Sequence, residues 1–206
     1  MHMGLPHTKE ETALRKAGHR HIAGSDEVGK GAWAGPIVAA AVVLPEKFPV
    51  KGIKDSKKLS PSAREKLFVR ITKHAVSWAV GMVSHETIDR IGIQKANVRV
   101  IEQAVKNLHV SPDAILIDAV KVRFGKQPVK AIIKGDAKVL SIAAASIVAK
   151  VVRDTLMKGF EREHPGYGFG RHKGYGTAEH RKKLKQFGLS KIHRKSFEPM
   201  KHMQRP

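Results

Sequence analysis

Asp26 and Glu27 follow the short run Ile22-Ala23-Gly24, Asp118 closes Ala114-Ile115-Leu116-Ile117, and Asp136 comes just after Ile132-Ile133. Three separate apolar runs thus deliver carboxylates near their ends, in a chain that has only 18 acidic residues against 39 Lys and Arg. If those runs are strands of one sheet, their ends can meet. Four carboxylates brought together repel one another unless cations neutralise them, and an all-oxygen donor set selects hard divalent ions, Mg²⁺ or Mn²⁺. Hydrolysis of a phosphodiester by metal-activated water uses such a site. The absence of cysteine removes thiolate metal sites and thiol nucleophiles, so metal-activated water is the natural reaction class.

Each acid also has a plainer reading. Asp136 stands just before a long helical stretch and could be its N-cap. Asp118 could be a turn residue. Asp26 and Glu27 are harder to explain structurally, because alternation along a strand sends one of two neighbours inward. The segment Gly24-Ser25-Asp26-Glu27-Val28-Gly29-Lys30-Gly31 matches a phosphate-binding loop up to its last position, where Gly31 replaces the Ser or Thr that would hold Mg²⁺. It also leads into a strand rather than a helix and carries two acids, so a nucleotide triphosphatase is excluded. Its glycines still permit a positive-φ turn, and they bring bare backbone groups close to a ligand. Such groups suit a 2′-hydroxyl, which both donates and accepts.

The elements that must position these residues are legible in outline. Ile37 to Leu44 is a continuous apolar run, the mark of a strand buried on both faces. Ser60-Pro61 opens a helix that runs to about Lys73. Ala75 to Ser84 reads as a third strand. His85 to Leu108 has helical periodicity broken near Gly92, and two short strands follow at Ala114 to Ile117 and Val129 to Ile133. Lys138 to Phe160 is a long helix whose Ala143-Ala144-Ala145-Ser146 lets it pack close to a sheet. The order is β-β-α-β-α-β-β-α, an α/β fold with a mixed sheet flanked by helices. Residues 1–18 are expected to be a flexible arm or short helix and 19–162 the catalytic domain. Residues 163–206, rich in glycine, histidine and basic residues, are expected to form a substrate-contacting extension of that domain.

The formal net charge of +21 points to a polyanionic partner, nucleic acid before an anionic membrane. No run approaches the ~18 apolar residues of a membrane span. The polar start, Met1 to Arg20, lacks the apolar centre of a signal peptide, and the expected location is the cytoplasm. Lys57-Lys58 and Arg181-Lys182-Lys183 are candidate phosphate contacts, Tyr175 between two glycines is suited to stacking on a sugar or base, and Tyr167 is either a second contact or loop packing. His164, His172, His180 and His193 are spaced too irregularly for a metal site and read as phosphate contacts or surface residues. A non-catalytic protein binding structured RNA would have the same composition. It gains nothing from carboxylates beside phosphate.

Gly24 to Gly31, continuing through Gly35-Pro36 into Ala39-Ala40-Ala41-Val42-Val43-Leu44, resembles the N-terminal signature of the ribonuclease HII family. Asp55-Ser56-Lys57-Lys58-Leu59, Ile117-Asp118-Ala119, Lys134-Gly135-Asp136-Ala137 and Ser141 to Lys150 with Arg153-Asp154 resemble its later blocks. His172-Lys173-Gly174-Tyr175-Gly176-Thr177 with His180, and His193-Arg194-Lys195-Ser196-Phe197, resemble its C-terminal blocks. The matches run in order over about residues 22 to 198. The resemblance implies a ribonuclease H-like fold with a helical C-terminal extension and a monomeric endoribonuclease dependent on Mn²⁺ or Mg²⁺. It further implies cleavage of RNA in RNA/DNA hybrids and incision 5′ to single ribonucleotides embedded in duplex DNA, the entry to ribonucleotide excision repair. The family's four acids, which are both catalytic and metal-binding, fall on Asp26, Glu27, Asp118 and Asp136. Its ribonucleotide-sensing segment falls on Gly29, Lys30 and Gly31, and its junction-sensing tyrosine on Tyr175. The family usually has arginine where this chain has Lys30, and lysine lacks arginine's planar two-pronged contact.

Overall fold

The computed structural model describes residues 5–49, 52–54, 56–120 and 122–203, with the side chain of Lys58 left undescribed. Asp55 lies outside this set. Five strands form one sheet: β1 (Ile22–Val28), β2 (Ile37–Val43), β3 (Ser77–Val83), β4 (Ala114–Asp118) and β5 (Val129–Ile132), in the order β3-β2-β1-β4-β5. β1 and β2 pair antiparallel, as do β2 and β3, whereas β1, β4 and β5 run parallel. The register sets Ser25 opposite Ile117, and Asp118 opposite Ile132. The carboxyl ends of three parallel strands therefore open on the same edge of the sheet, where open α/β sheets bind their ligands.

Helices cover both faces. α3 (His85–Ile91) and α4 (Ile93–Lys106) pack on one, with Val100, Ile101 and Ala104 against Ala39, Ala41 and Ile115. α2 (Pro61–His74) and α5 (Leu140–Glu163) pack on the other, with Leu67, Ala144 and Val148 against Ala40 and Val42. Every residue of β2 is buried, as its unbroken apolar run predicts. The Ser60 hydroxyl accepts from the Ala63 N–H at 3.3 Å and caps α2, and Gly92 separates α3 from α4 with φ +79. α5 sits directly on β1: a Cβ at Gly24 would lie 2.2 Å from the Ser141 carbonyl carbon, so only glycine permits the approach.

Where the sequence offered a flexible arm or a short helix, the structure takes the helix. α1 (Lys9–Lys16) is seated against α5, because the Glu11 carboxylate accepts from the Ser141 N–H at 2.9 Å, in the first turn of α5. After α5 the chain forms α6 (Phe169–His172) and α7 (Ala178–Phe187), and Phe169 and Ile192 pack with Met157 of α5 and with Ala34. No helix among the described residues is long and apolar enough to cross a membrane.

Candidate metal centre and nucleic-acid cleft

Asp26, Asp118 and Asp136 each offer a carboxylate oxygen within 4.8 Å of the others. Two turns hold them at the sheet edge. Ala119, directly after Asp118, has φ 48, and Lys134, two residues before Asp136, has φ 58. A left-handed conformation at a residue with a side chain costs about 1 kcal/mol, and such strain gathers at functional sites. The Asp118 Oδ1 accepts from the Gly135 N–H at 2.8 Å and ties one turn to the other. Asp136 lies in a single 3-10 turn, Gly135–Ala137, and Val139 is the N-cap of α5, so the capping alternative for Asp136 falls away.

Alternation does divide Asp26 from Glu27. Asp26 turns toward α5, is 7% exposed and hydrogen-bonds to Ser146, whose hydroxyl lies 3.0 Å from that of Ser56. Glu27 stands outside the three-acid cluster and hydrogen-bonds to Asn97 of α4, but it lines the same cleft. Burial, above all, pushes the Asp26 carboxyl well above the usual carboxylate range, with Glu27, Asp118 and Asp136 adding repulsion. Asp118 is raised by burial and Asp136 against its bond from Gly135, and Glu27 is raised by burial against the pull of Lys30. The donors fit a hard divalent ion: they are all oxygen, burial and mutual repulsion disfavour the bare charges of Asp26 and Asp118, and the Glu27 Oε2 is buried with no hydrogen-bond partner among the described residues. Lys57 Nζ lies 3.3 Å from Asp136 Oδ2. It is thus a partner of the acid cluster rather than only a surface lysine.

The cleft, about 400 Å³, is lined by Asp26, Glu27, Asp118, Lys57, Lys150 and Tyr175 among others. A second cleft of about 340 Å³ shares Lys150 and adds Arg64, Lys158, Arg171 and Lys173. Gly29 follows Val28, which lines the first cleft; its φ is +92 and a Cβ there would lie 2.2 Å from Arg153 Nε. Lys30 and Gly31 are exposed, and among the described residues their N–H groups have no hydrogen-bond partner. The loop is gripped from behind by two fully buried arginines. Arg153 donates to the carbonyls of Pro36, Ala34 and Lys173, and Arg194 to those of Gly35 and Lys30. Burial lowers both guanidiniums against the weaker pull of Asp154 on Arg153 and of Asp89 on Arg194, and Arg194, also repelled by Arg153, falls to about 9. Arg153 also lies 5.4 Å from the Tyr175 ring centroid.

Several of these residues, though Ser146, Arg153 and Arg194 lie in blocks that carry the family resemblance, gave no sign in the sequence of what they hold. Arg153 and Arg194 are two among 39 basic residues, Ser146 reads as packing, and Asn97 sits inside an amphipathic helix. The histidines are a correction: His172, His180 and His193 are buried, so they are neither surface residues nor phosphate contacts. Tyr167 packs the extension, stacked on Phe169 and donating toward the Gly188 carbonyl. Arg181 lies over Trp33.

A mixed sheet with acids converging at the carboxyl ends of its parallel strands, beside a basic cleft, defines a metal-dependent nuclease on the ribonuclease H-like fold. Residues 23–200 match the family model described as ribonuclease HII. A ribonuclease HII of Bacillus cytotoxicus is 48% identical over 199 residues, covering 97% of this chain and 76% of the relative. The crystal structure of ribonuclease H2 from Pyrococcus horikoshii superposes with a TM-score of 0.76 at 28% identity, over 88% of this chain and 96% of that one. A ribonuclease HII of Archaeoglobus fulgidus, solved in complex with PCNA, gives 0.74 at 27% identity over 90% and 97%. The chain belongs to the ribonuclease HII family. It is an endoribonuclease that depends on divalent metal and acts on RNA in RNA/DNA hybrids.

Proposed function

We propose that Asp26, Glu27, Asp118 and Asp136 form the catalytic and metal-binding set of this endoribonuclease, with Mn²⁺ or Mg²⁺ as the ion. On this reading the enzyme also incises 5′ to single ribonucleotides embedded in duplex DNA. The observation that carries the assignment is the approach of three carboxylates to within 4.8 Å of one another at the end of a basic cleft. Bound divalent ions supply an activated water and charge for the leaving oxygen. The protein's own contribution is to hold the acids in place. Asp118 is fixed by Gly135 and Asp26 by Ser146, so little reorganisation accompanies loading. Lys57, beside Asp136, offsets negative charge until the ions and a phosphate arrive. Lys58 remains a proposed phosphate contact from the sequence alone.

Selection of RNA belongs to the opposite wall. The unengaged N–H groups of Lys30 and Gly31 can donate to a 2′-hydroxyl, and Arg194 fixes the intervening carbonyl from behind. Tyr175, half-buried at the mouth, offers a ring face to the sugar at the RNA–DNA junction. Arg64, Lys150, Lys158, Arg171 and Lys173 supply charge for the duplex backbone, which carries most of the affinity and no sequence preference. The protein acts as a monomer and works in the cytoplasm. The test uses end-labelled duplexes bearing zero, one or several ribonucleotides, with Mg²⁺, Mn²⁺ or EDTA. Metal-dependent nicking at the single ribonucleotide with intact all-DNA duplex is expected. Equal cutting of all-DNA duplex, or full activity in EDTA, overturns the reading.

A further inference from the structure

Behind Tyr175 lies a chain of buried polar contacts that neither the acids nor the phosphate contacts use. The His180 Nε2 and His193 Nε2 are 3.0 Å apart, and both rings are fully buried. The two ends of the pair fix its proton arrangement. At one end the Ser190 backbone N–H, which can only donate, lies 2.8 Å from His193 Nδ1. That nitrogen is therefore bare, and the His193 proton sits on Nε2. His193 then donates to His180 Nε2, which must also be bare, leaving the His180 proton on Nδ1. At the other end that N–H meets the Tyr175 carbonyl, which can only accept, at 3.0 Å. All four ring nitrogens are thus assigned, both rings are neutral, and every hydrogen bond points toward Tyr175.

We propose that His193 and His180 form a positioning relay that holds Tyr175 in the cleft and so determines how well the enzyme engages an RNA–DNA junction. The inference rests on the role given to Tyr175 under the proposed function. The relay fixes the backbone of that residue from within the extension, while Arg153 lies against its ring from α5. His172 completes the frame: it stacks on His180 with centroids 4.3 Å apart, its Nδ1 accepts from the Gly174 N–H, and its carbonyl accepts from the Tyr175 N–H. Tyr175 is therefore held at its N–H, its carbonyl and its ring by groups from three parts of the chain. An unsupported residue between two glycines would sample many conformations, so this support is what makes one ring orientation available to a substrate. The depression of both imidazoles to about 4 by burial agrees with the neutral tautomers that the bonding requires.

The arrangement can be read in the unaltered protein. Histidine-selective ¹⁵N NMR at neutral pH should show His180 protonated on Nδ1, His193 on Nε2, and a scalar coupling across the Nε2–Nε2 hydrogen bond. Either ring charged, or both protonated on Nε2, overturns the relay. Single-turnover cleavage at one embedded ribonucleotide then tests its effect with Tyr175→Ala, His180→Phe, His180→Asn and the double variant Tyr175→Ala with His180→Phe. His180→Phe keeps the ring shape and loses the donor, and cleavage should fall on the order of threefold to tenfold, as expected for one lost hydrogen bond. His180→Asn keeps a donor near Nδ1 and should recover much of that loss. The double variant should cleave no more slowly than Tyr175→Ala alone, whereas a structural defect elsewhere would multiply with it. If Tyr175→Ala is impaired while His180→Phe cleaves normally or multiplies, the relay is wrong and the role of Tyr175 stands. If Tyr175→Ala cleaves normally, the role of Tyr175 fails and the relay falls with it.

Discussion

Replacing Asp118 by Asn separates the catalytic role of this residue from its place in the fold. The amide keeps the shape of the carboxylate, and its oxygen can still accept from the Gly135 N–H now 2.8 Å from Asp118. What is lost is one negative charge within 4.8 Å of two others. At an effective dielectric near 20, two unit charges at that distance repel by about 3.5 kcal/mol, and by less than about 1 kcal/mol in bulk water. Asp118 is half-buried and part of the cluster is already protonated or paired, so relief of about 1 to 2 kcal/mol is expected. For a chain of this size that raises the metal-free thermal midpoint by roughly 3 to 6 °C. Added Mn²⁺ should stabilise the wild type and do much less for the variant, since stabilisation by a ligand follows its affinity for the folded state. Single-turnover cleavage should fall by orders of magnitude, while duplex affinity measured in Ca²⁺ stays level or rises. Unchanged cleavage in a folded variant would falsify the metal-ligand assignment. A midpoint that drops in EDTA would instead make Asp118 a structural turn residue.

The remaining expectations concern the other wall of the cleft and the histidines. Tyr175→Ala should slow cleavage at an RNA–DNA junction more than it weakens duplex binding, measured by single-turnover rates against a salt titration of affinity. Lys30→Arg should keep or sharpen the preference for a junction over a continuous hybrid, read from the ratio of the two cleavage rates; a reduced ratio refutes it. Gly29→Ala should destabilise by on the order of 2 kcal/mol or more, because φ is +92 and the new Cβ would displace Arg153; an unchanged denaturation midpoint counts against that geometry. Stability should fall as pH drops from 6.5 toward about 4. There the unfolded chain protonates histidines that the fold keeps neutral, and the slope is about 1.4 kcal/mol per pH unit for the first proton. Denaturation at stepped pH checks this, with the His180→Phe variant showing a shallower slope.

The sequence by itself determined the order of elements, the mixed sheet and which acids stand at or near the ends of strands. The unbroken run Ile37 to Leu44 could only be a doubly buried strand, Ser60-Pro61 a helix start, and Gly92 a break, because each is a local property of spacing or backbone freedom. Acids at the ends of apolar runs were visible for the same reason. That Asp118 and Asp136 share a site with Asp26 but Glu27 leans toward Asn97 depends on strand register and on the packing of α4 and α5. Neither is encoded within any short window. The same limit explains the histidines: His180 and His193 are 13 positions apart, and only the folding of the extension onto α5 excludes water from both. Arg153 and Arg194 are the clearest case. In the sequence they are two more charges in a basic chain, and their burial is tolerable only because the tertiary fold supplies the carbonyls of residues 30, 34, 35, 36 and 173 as partners. Local sequence can specify which groups are present and which element each sits on, but long-range packing decides which of them lose water together, and with that their charge, their partners and their chemistry.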